Sequence, residues 1–160
     1  MSLQTGQSLP DVEIKVIADG AIETRHSGEL FAGRKVVLFA VPGAFTPTCS
    51  NKHLPGYVNH FAEFQKRGID VMCLAVNDAF VMQAWAQNQH VPPAMMMLAD
   101  GNASFTSALG LELDGTAYGM GIRSRRFAMY VVNGVVEQLH VEAPGEFRAS
   151  SAESMLDAVA

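Results

Sequence analysis

The chain has 160 residues, enough for one domain with a real core, and its composition is 49% hydrophobic and 17% charged, outside the disordered range. A formal charge of −5 disfavours nucleic acid and anionic membranes as partners. No apolar run approaches the roughly 18 residues that span a bilayer, no basic-then-apolar leader opens the chain, and two cysteines build no disulfide framework, so a cytoplasmic protein with free thiols is expected.

Residues 12–17 alternate apolar and polar, and Asp19-Gly20 is a turn signal, which predicts an N-terminal hairpin reaching about Thr24. Residues 28–33 are bounded by glycines and read as a loop. Lys35–Val41 is a continuous apolar run with β-branched residues, the pattern of a strand buried on both faces. The Pro- and Gly-rich turn that follows places Cys49 where a helix should begin, because Ser50 and Asn51 favour helix starts and Leu54, Tyr57, Val58, Phe61 and Phe64 follow at helical spacing. Pro55-Gly56 predicts a kink or break, and Lys66-Arg67-Gly68 an end.

A second buried strand is predicted over 69–76, then a helix over 79–89, an apolar run over 94–99 and a short helix over 104–109. Residues 129–132, Asn133-Gly134 and 135–141 carry a strong hairpin signal with a type I′ turn. Ser150-Ser151-Ala152-Glu153 starts a last helix with Met155, Leu156 and Val159 on its buried side. No repeat or linker interrupts the chain, so residues 1–160 read as a single α/β domain with a mixed central sheet flanked by helices.

A thiol at a helix start faces free N–H groups and the positive end of the helix dipole, which favours thiolate and marks Cys49 as a candidate nucleophile. An ordinary thiol is about 3% thiolate at neutral pH, and lowering its pKa to ~6 gives roughly 90%. Reduced basicity takes back about tenfold of that gain. An efficient reaction therefore also needs donors for the charge that builds up in the transition state. Thr46, three residues before Cys49, can bring a hydroxyl beside the sulfur. Arginines lie at 123, 125 and 126; Arg125 and Arg126 fall on opposite strand faces, and residue pattern alone does not select the active one. Cys73 lies mid-strand, where cysteine is usually a small buried hydrophobe. His53 follows Cys49 by four residues and reads as a helix-face contact. The five scattered histidines and the lack of Cys-x-x-Cys argue against zinc.

The segment Pro42-Gly43-Ala44-Phe45-Thr46-Pro47-Thr48-Cys49-Ser50 resembles the active-site segment of the peroxiredoxins, in the form of the type II (atypical, fifth) subfamily. Also similar are His53-Leu54-Pro55-Gly56-Tyr57, Ala75-Val76-Asn77-Asp78-Ala79-Phe80-Val81, Leu98-Ala99-Asp100-Gly101-Asn102 and the run from Gly121 to Met129. The resemblance implies a thioredoxin-like fold and a thiol-dependent peroxidase that reduces hydrogen peroxide and small alkyl hydroperoxides through a sulfenic acid. It implies Cys49 as the peroxidatic nucleophile, Pro42 and Thr46 as completing its loop, and Arg126 as the arginine that reaches it, with Arg123 in support. No metal, haem or flavin cofactor is implied.

Glutathione with glutaredoxin, or thioredoxin, is the implied reductant. A homodimer is implied too, with Phe45, Phe80 and Trp85 as aromatic candidates for its surface. The family's C-terminal resolving position corresponds to Ala149, and some members use a cysteine at the place of Cys73. The expectation is a one-cysteine cycle with Cys73 locked in the sheet. Two other readings are a thiol–disulfide oxidoreductase, for which Lys52 stands where a second cysteine is wanted, and a slow peroxide sensor or redox-regulated chaperone using the same site.

Overall fold

The computed structural model describes residues 3–159. In chain order its elements are β1 (Glu13–Ala18), β2 (Ala21–His26), α1 (Ser27–Phe31), β3 (Lys35–Val41), a π-helical turn (Cys49–His53) running into α2 (Leu54–Lys66), β4 (Ile69–Ala75) and α3 (Ala79–Asn88). Then come β5 (Met96–Ala99), α4 (Ser104–Leu109), β6 (Glu112–Asp114), β7 (Ile122–Ser124), β8 (Phe127–Val132), β9 (Val135–Val141) and α5 (Ala152–Ala158).

One mixed sheet has the order β2-β1-β5-β4-β3-β8-β9, while β6 and β7 form a separate ribbon. β3, β4 and β5 pair in parallel, and the other neighbours are antiparallel. Parallel pairing is made by the crossovers α2 and α3, which is why the strands they join read as near-continuous apolar runs. This is the expected thioredoxin-like α/β architecture.

Strand alternation divides β3 between two cores. Val37, Phe39 and Val41 face one core with Cys49, Leu54, Tyr57, Phe64, Trp85 and Met155, from the helical path through α2, from α3 and from α5. Val36, Leu38 and Ala40 face the other core with Leu30, Phe31, Phe105 and Leu109, from α1 and α4. Cys49 and Cys73 lie on the same side of the sheet.

Both hairpins turn on two consecutive residues with positive φ, Asp19-Gly20 at 52° and 80° and Asn133-Gly134 at 49° and 77°, as a type I′ turn requires. α5 is capped by Ser151, whose hydroxyl accepts the Ser154 N–H.

Three expectations need correction. Residues 28–33 are not wholly loop: Ser27–Phe31 is a short helix, stabilised by a capping box between His26 and Glu29 and by burial of Leu30 and Phe31. The helix bearing Cys49 starts earlier, at Pro47, so the cysteine lies within its first turn. Proline at a first helical position loses no hydrogen bond, which makes this start natural. The break expected at Pro55-Gly56 takes the form of the preceding π-turn: the Leu54 N–H reaches back to the Cys49 carbonyl, and Pro55, with no N–H, sits in the first turn of α2.

Candidate active site

The loop between β3 and the helix is held from several directions. The Ala44 N–H donates to Asn77 Oδ1 at 2.9 Å, tying the loop to the end of β4. Thr46 Oγ1 donates to the Gly43 carbonyl at 2.7 Å, and the Thr46 carbonyl accepts the Ser50 N–H at 2.9 Å. Between them Phe45 has a φ of 62°, a costly conformation for a bulky side chain that the surrounding anchors must maintain. Arg123 braces the loop's far side, donating to the carbonyls of Met120 and Val76 at 2.8 and 3.1 Å. A β-carbon on Gly43 would sit in ordinary contact with Arg123 Nη1 at 3.5 Å and tightly against the Thr46 methyl at 3.2 Å, so the loop packs closely there. Trp85 Nε1 donates to Ser50 Oγ at 3.0 Å and pins the first helical turn from α3.

Cys49 is buried. Arg126, the residue before β8, donates from Nη2 to Cys49 Sγ at 3.1 Å and from Nη1 to His53 Nδ1 at 2.7 Å. Its guanidinium carbon lies 5.8 Å from the centre of the Phe147 ring. Alternation explains the choice among the arginines: Arg126 has the parity of Ala128, which faces the core holding Cys49, whereas Arg125 has that of Phe127, which faces the other.

His53 Nε2 lies 3.0 Å from the Ser150 carbonyl, which also accepts from Tyr57 Oη at 2.7 Å. A guanidinium only donates and a carbonyl only accepts, so Nδ1 is bare and Nε2 carries the proton. Burial, and then the charge of Arg126, lower the His53 pKa to about 3, so the ring is neutral.

Behind it stands Glu142, buried one residue past β9. Burial pushes its carboxyl upward, but hydrogen bonds from the Ser150 hydroxyl and N–H and from the Arg148 and Ala149 N–H groups outweigh that and hold it below the usual range. The Ser150 hydroxyl and N–H lie 2.6 and 2.7 Å from Glu142 Oε2, and the Arg148 N–H lies 2.8 Å from it.

The structure therefore brings Arg126 into direct contact with both Cys49 and His53. Pro42 and Thr46 are half-buried in the adjoining loop. The Thr46 hydroxyl hydrogen points to Gly43 rather than to the sulfur, leaving the oxygen able to accept. Cys73 is a fully buried free thiol of β4, and burial followed by the charge of Cys49 pushes its pKa well up. Trp85 is also fully buried, which removes it from the surface candidates; Phe45 and Phe80 are 53% and 76% exposed.

The sequence reading did not find Tyr57, Glu142, Phe147 or Ser150 as parts of the site. The one local signal was an acid directly after a strand, followed within eight residues by Arg148 and Ser150.

A Redoxin family model matches residues 4–156. The chain is 47% identical to the chloroplastic Peroxiredoxin-2E of Arabidopsis thaliana over 99% of its own length and 70% of that protein's. It is 44% identical to Peroxiredoxin-2C of Oryza sativa subsp. japonica over 96% of both chains. Among solved structures, reduced Prx3 in complex with H2O2 from Vibrio vulnificus superposes with a TM-score of 0.93 at 48% identity over 99% of both chains.

Proposed function

Because the chain belongs to the Redoxin family and is a peroxiredoxin, a thiol-dependent peroxidase, we propose that Cys49 is its peroxidatic cysteine and that turnover passes through a sulfenic acid. The observation that carries this reading is the 3.1 Å contact from Arg126 Nη2 to Cys49 Sγ. Among the described residues no ion pair ties Arg126 to a carboxylate, so its charge is available to thiolate and peroxide.

The Cys49 thiolate attacks one peroxide oxygen; an S–O bond forms as the O–O bond breaks. Hydroxide or alkoxide leaves and takes a proton, giving water or alcohol and Cys49 sulfenic acid. Negative charge grows on the departing oxygen along this path. Fixed guanidinium donors stabilise it with no reorganisation at the moment of reaction. The Thr46 oxygen, with its hydrogen committed to Gly43, is suited to accept from the peroxide O–H. Pro42 shields the product from water.

An external thiol then attacks the sulfenic sulfur, releasing water and leaving a mixed disulfide, and a second thiol frees Cys49. Glutathione with glutaredoxin, or thioredoxin, supplies those thiols in this reading. Burial of Cys49 means that the first helical turn must open for a bulky thiol, and the irregular π-turn is the natural place. We assign the chain to the type II subfamily on its active-site segment, and propose a cytoplasmic homodimer of single-domain subunits that uses Phe45 and Phe80. The decisive test is Cys49→Ser: a hydroxyl stays protonated at neutral pH, so peroxide consumption should vanish with the fold intact. Appreciable peroxidase activity in that variant would sink the assignment.

A further inference from the structure

The proposed chemistry uses one arm of Arg126, and the other arm decides where the first one points. A guanidinium is planar and rigid, so fixing Nη1 sets the direction of Nη2. Nη1 donates to His53 Nδ1 at 2.7 Å. We infer that His53 is a positioning residue: its neutral imidazole aims Arg126 at Cys49 while leaving the guanidinium charge free for the reaction.

The imidazole is itself firmly held. Its Nε2–H donates to the Ser150 carbonyl at 3.0 Å, and its ring packs between Phe39 and Phe147, with centroids 5.0 and 4.9 Å away. Ser150 is fixed by Glu142 Oε2 through both its N–H and its hydroxyl. The Glu142 N–H donates to the Arg126 carbonyl at 2.9 Å, so one residue secures both the backbone carrying the arginine and the loop carrying its support. This closed circuit prevents drift of the donor. A protonated ring would present an N–H to the guanidinium and repel it; the bare Nδ1 orients without competing for charge.

The inference rests on the peroxidase reading, and the test separates the two. Asparagine at 53 can place a carbonyl oxygen near the Nδ1 position, keeping the acceptor for Arg126 and losing the Ser150 link. Glutamine can place an amide donor near the Nε2 position, keeping Ser150 and losing the Arg126 acceptor.

Rapid-mixing rates with hydrogen peroxide should stay within about threefold of wild type for His53→Asn and fall roughly tenfold to a hundredfold for His53→Gln and His53→Leu. The reverse order, equal losses in all three, or no loss in any would overturn the inference. In an Arg126→Ala background, His53→Leu should cost nothing further, because its effect passes through the arginine. A further loss there would also overturn it, even if the single variants differ in stability. If instead the peroxidase reading is at fault, the wild-type protein itself will not consume peroxide.

Discussion

Acidification should destabilise the protein through His53 before its carboxylates protonate. The ring is fully buried, and burial together with Arg126 lowers its pKa from 6.5 to about 3. A depressed folded-state value means that the unfolded chain binds the proton more readily. The contribution is therefore intact above the unfolded pKa and is lost as pH falls toward the folded one. Each pH unit inside that window costs about 1.4 kcal/mol, so going from about pH 7.5 to about pH 4.5 should remove about 2.7 kcal/mol. The same variant that keeps the Arg126 acceptor, His53→Asn, cannot titrate and should lack this slope. Denaturant melts of both proteins at one concentration, repeated across the range, give the difference directly, since carboxylates and the other histidines are common to both. A gap between the two that stays constant within about 1 kcal/mol from neutral to acid would show that the folded protein accepts the proton on His53, and would refute the argument for a neutral ring.

Arg126→Lys keeps the charge but loses the planar pair of donors, so the peroxide rate should fall by more than about tenfold while the thiolate fraction, followed by ultraviolet absorbance, changes much less. A rate loss fully accounted for by that fraction would contradict the transition-state role. Cys73→Ser should keep most turnover with a small-thiol reductant, because Cys73 is a buried strand residue paired with Phe39 and Met97 in the sheet register. Loss of turnover with the first oxidation step preserved would make Cys73 the resolving thiol. Sedimentation of the reduced protein at micromolar concentration should give twice the 17.2 kDa chain mass, and species of that single mass alone would count against the dimer.

Local pattern carried much of this protein. The uninterrupted apolar run of β3, the Asp19-Gly20 and Asn133-Gly134 turns and the serine start of α5 each express a preference of a few adjacent residues, which their neighbours in space had no reason to override. The cysteine at a strand–helix junction was legible for the same reason. The π-turn was legible only as a conflict between Pro55-Gly56 and the helical spacing around it, because the way such a conflict relaxes depends on what the widened turn must pack against. α1 was hidden because five residues are too few to show a period.

The rest of the site needed the tertiary fold. Alternation puts Arg125 and Arg126 on opposite faces, but a sheet covered on both sides makes both faces look equally apolar in sequence. Only the packing of the helix after Cys49 onto the side of Phe39 and Ala128 selects Arg126. The His53–Ser150 and Glu142–Ser150 contacts join residues 97 and 8 positions apart. Hydrogen bonds of that kind leave no periodic trace, since they depend on where a loop closes over a buried ring and on a buried acid finding donors there.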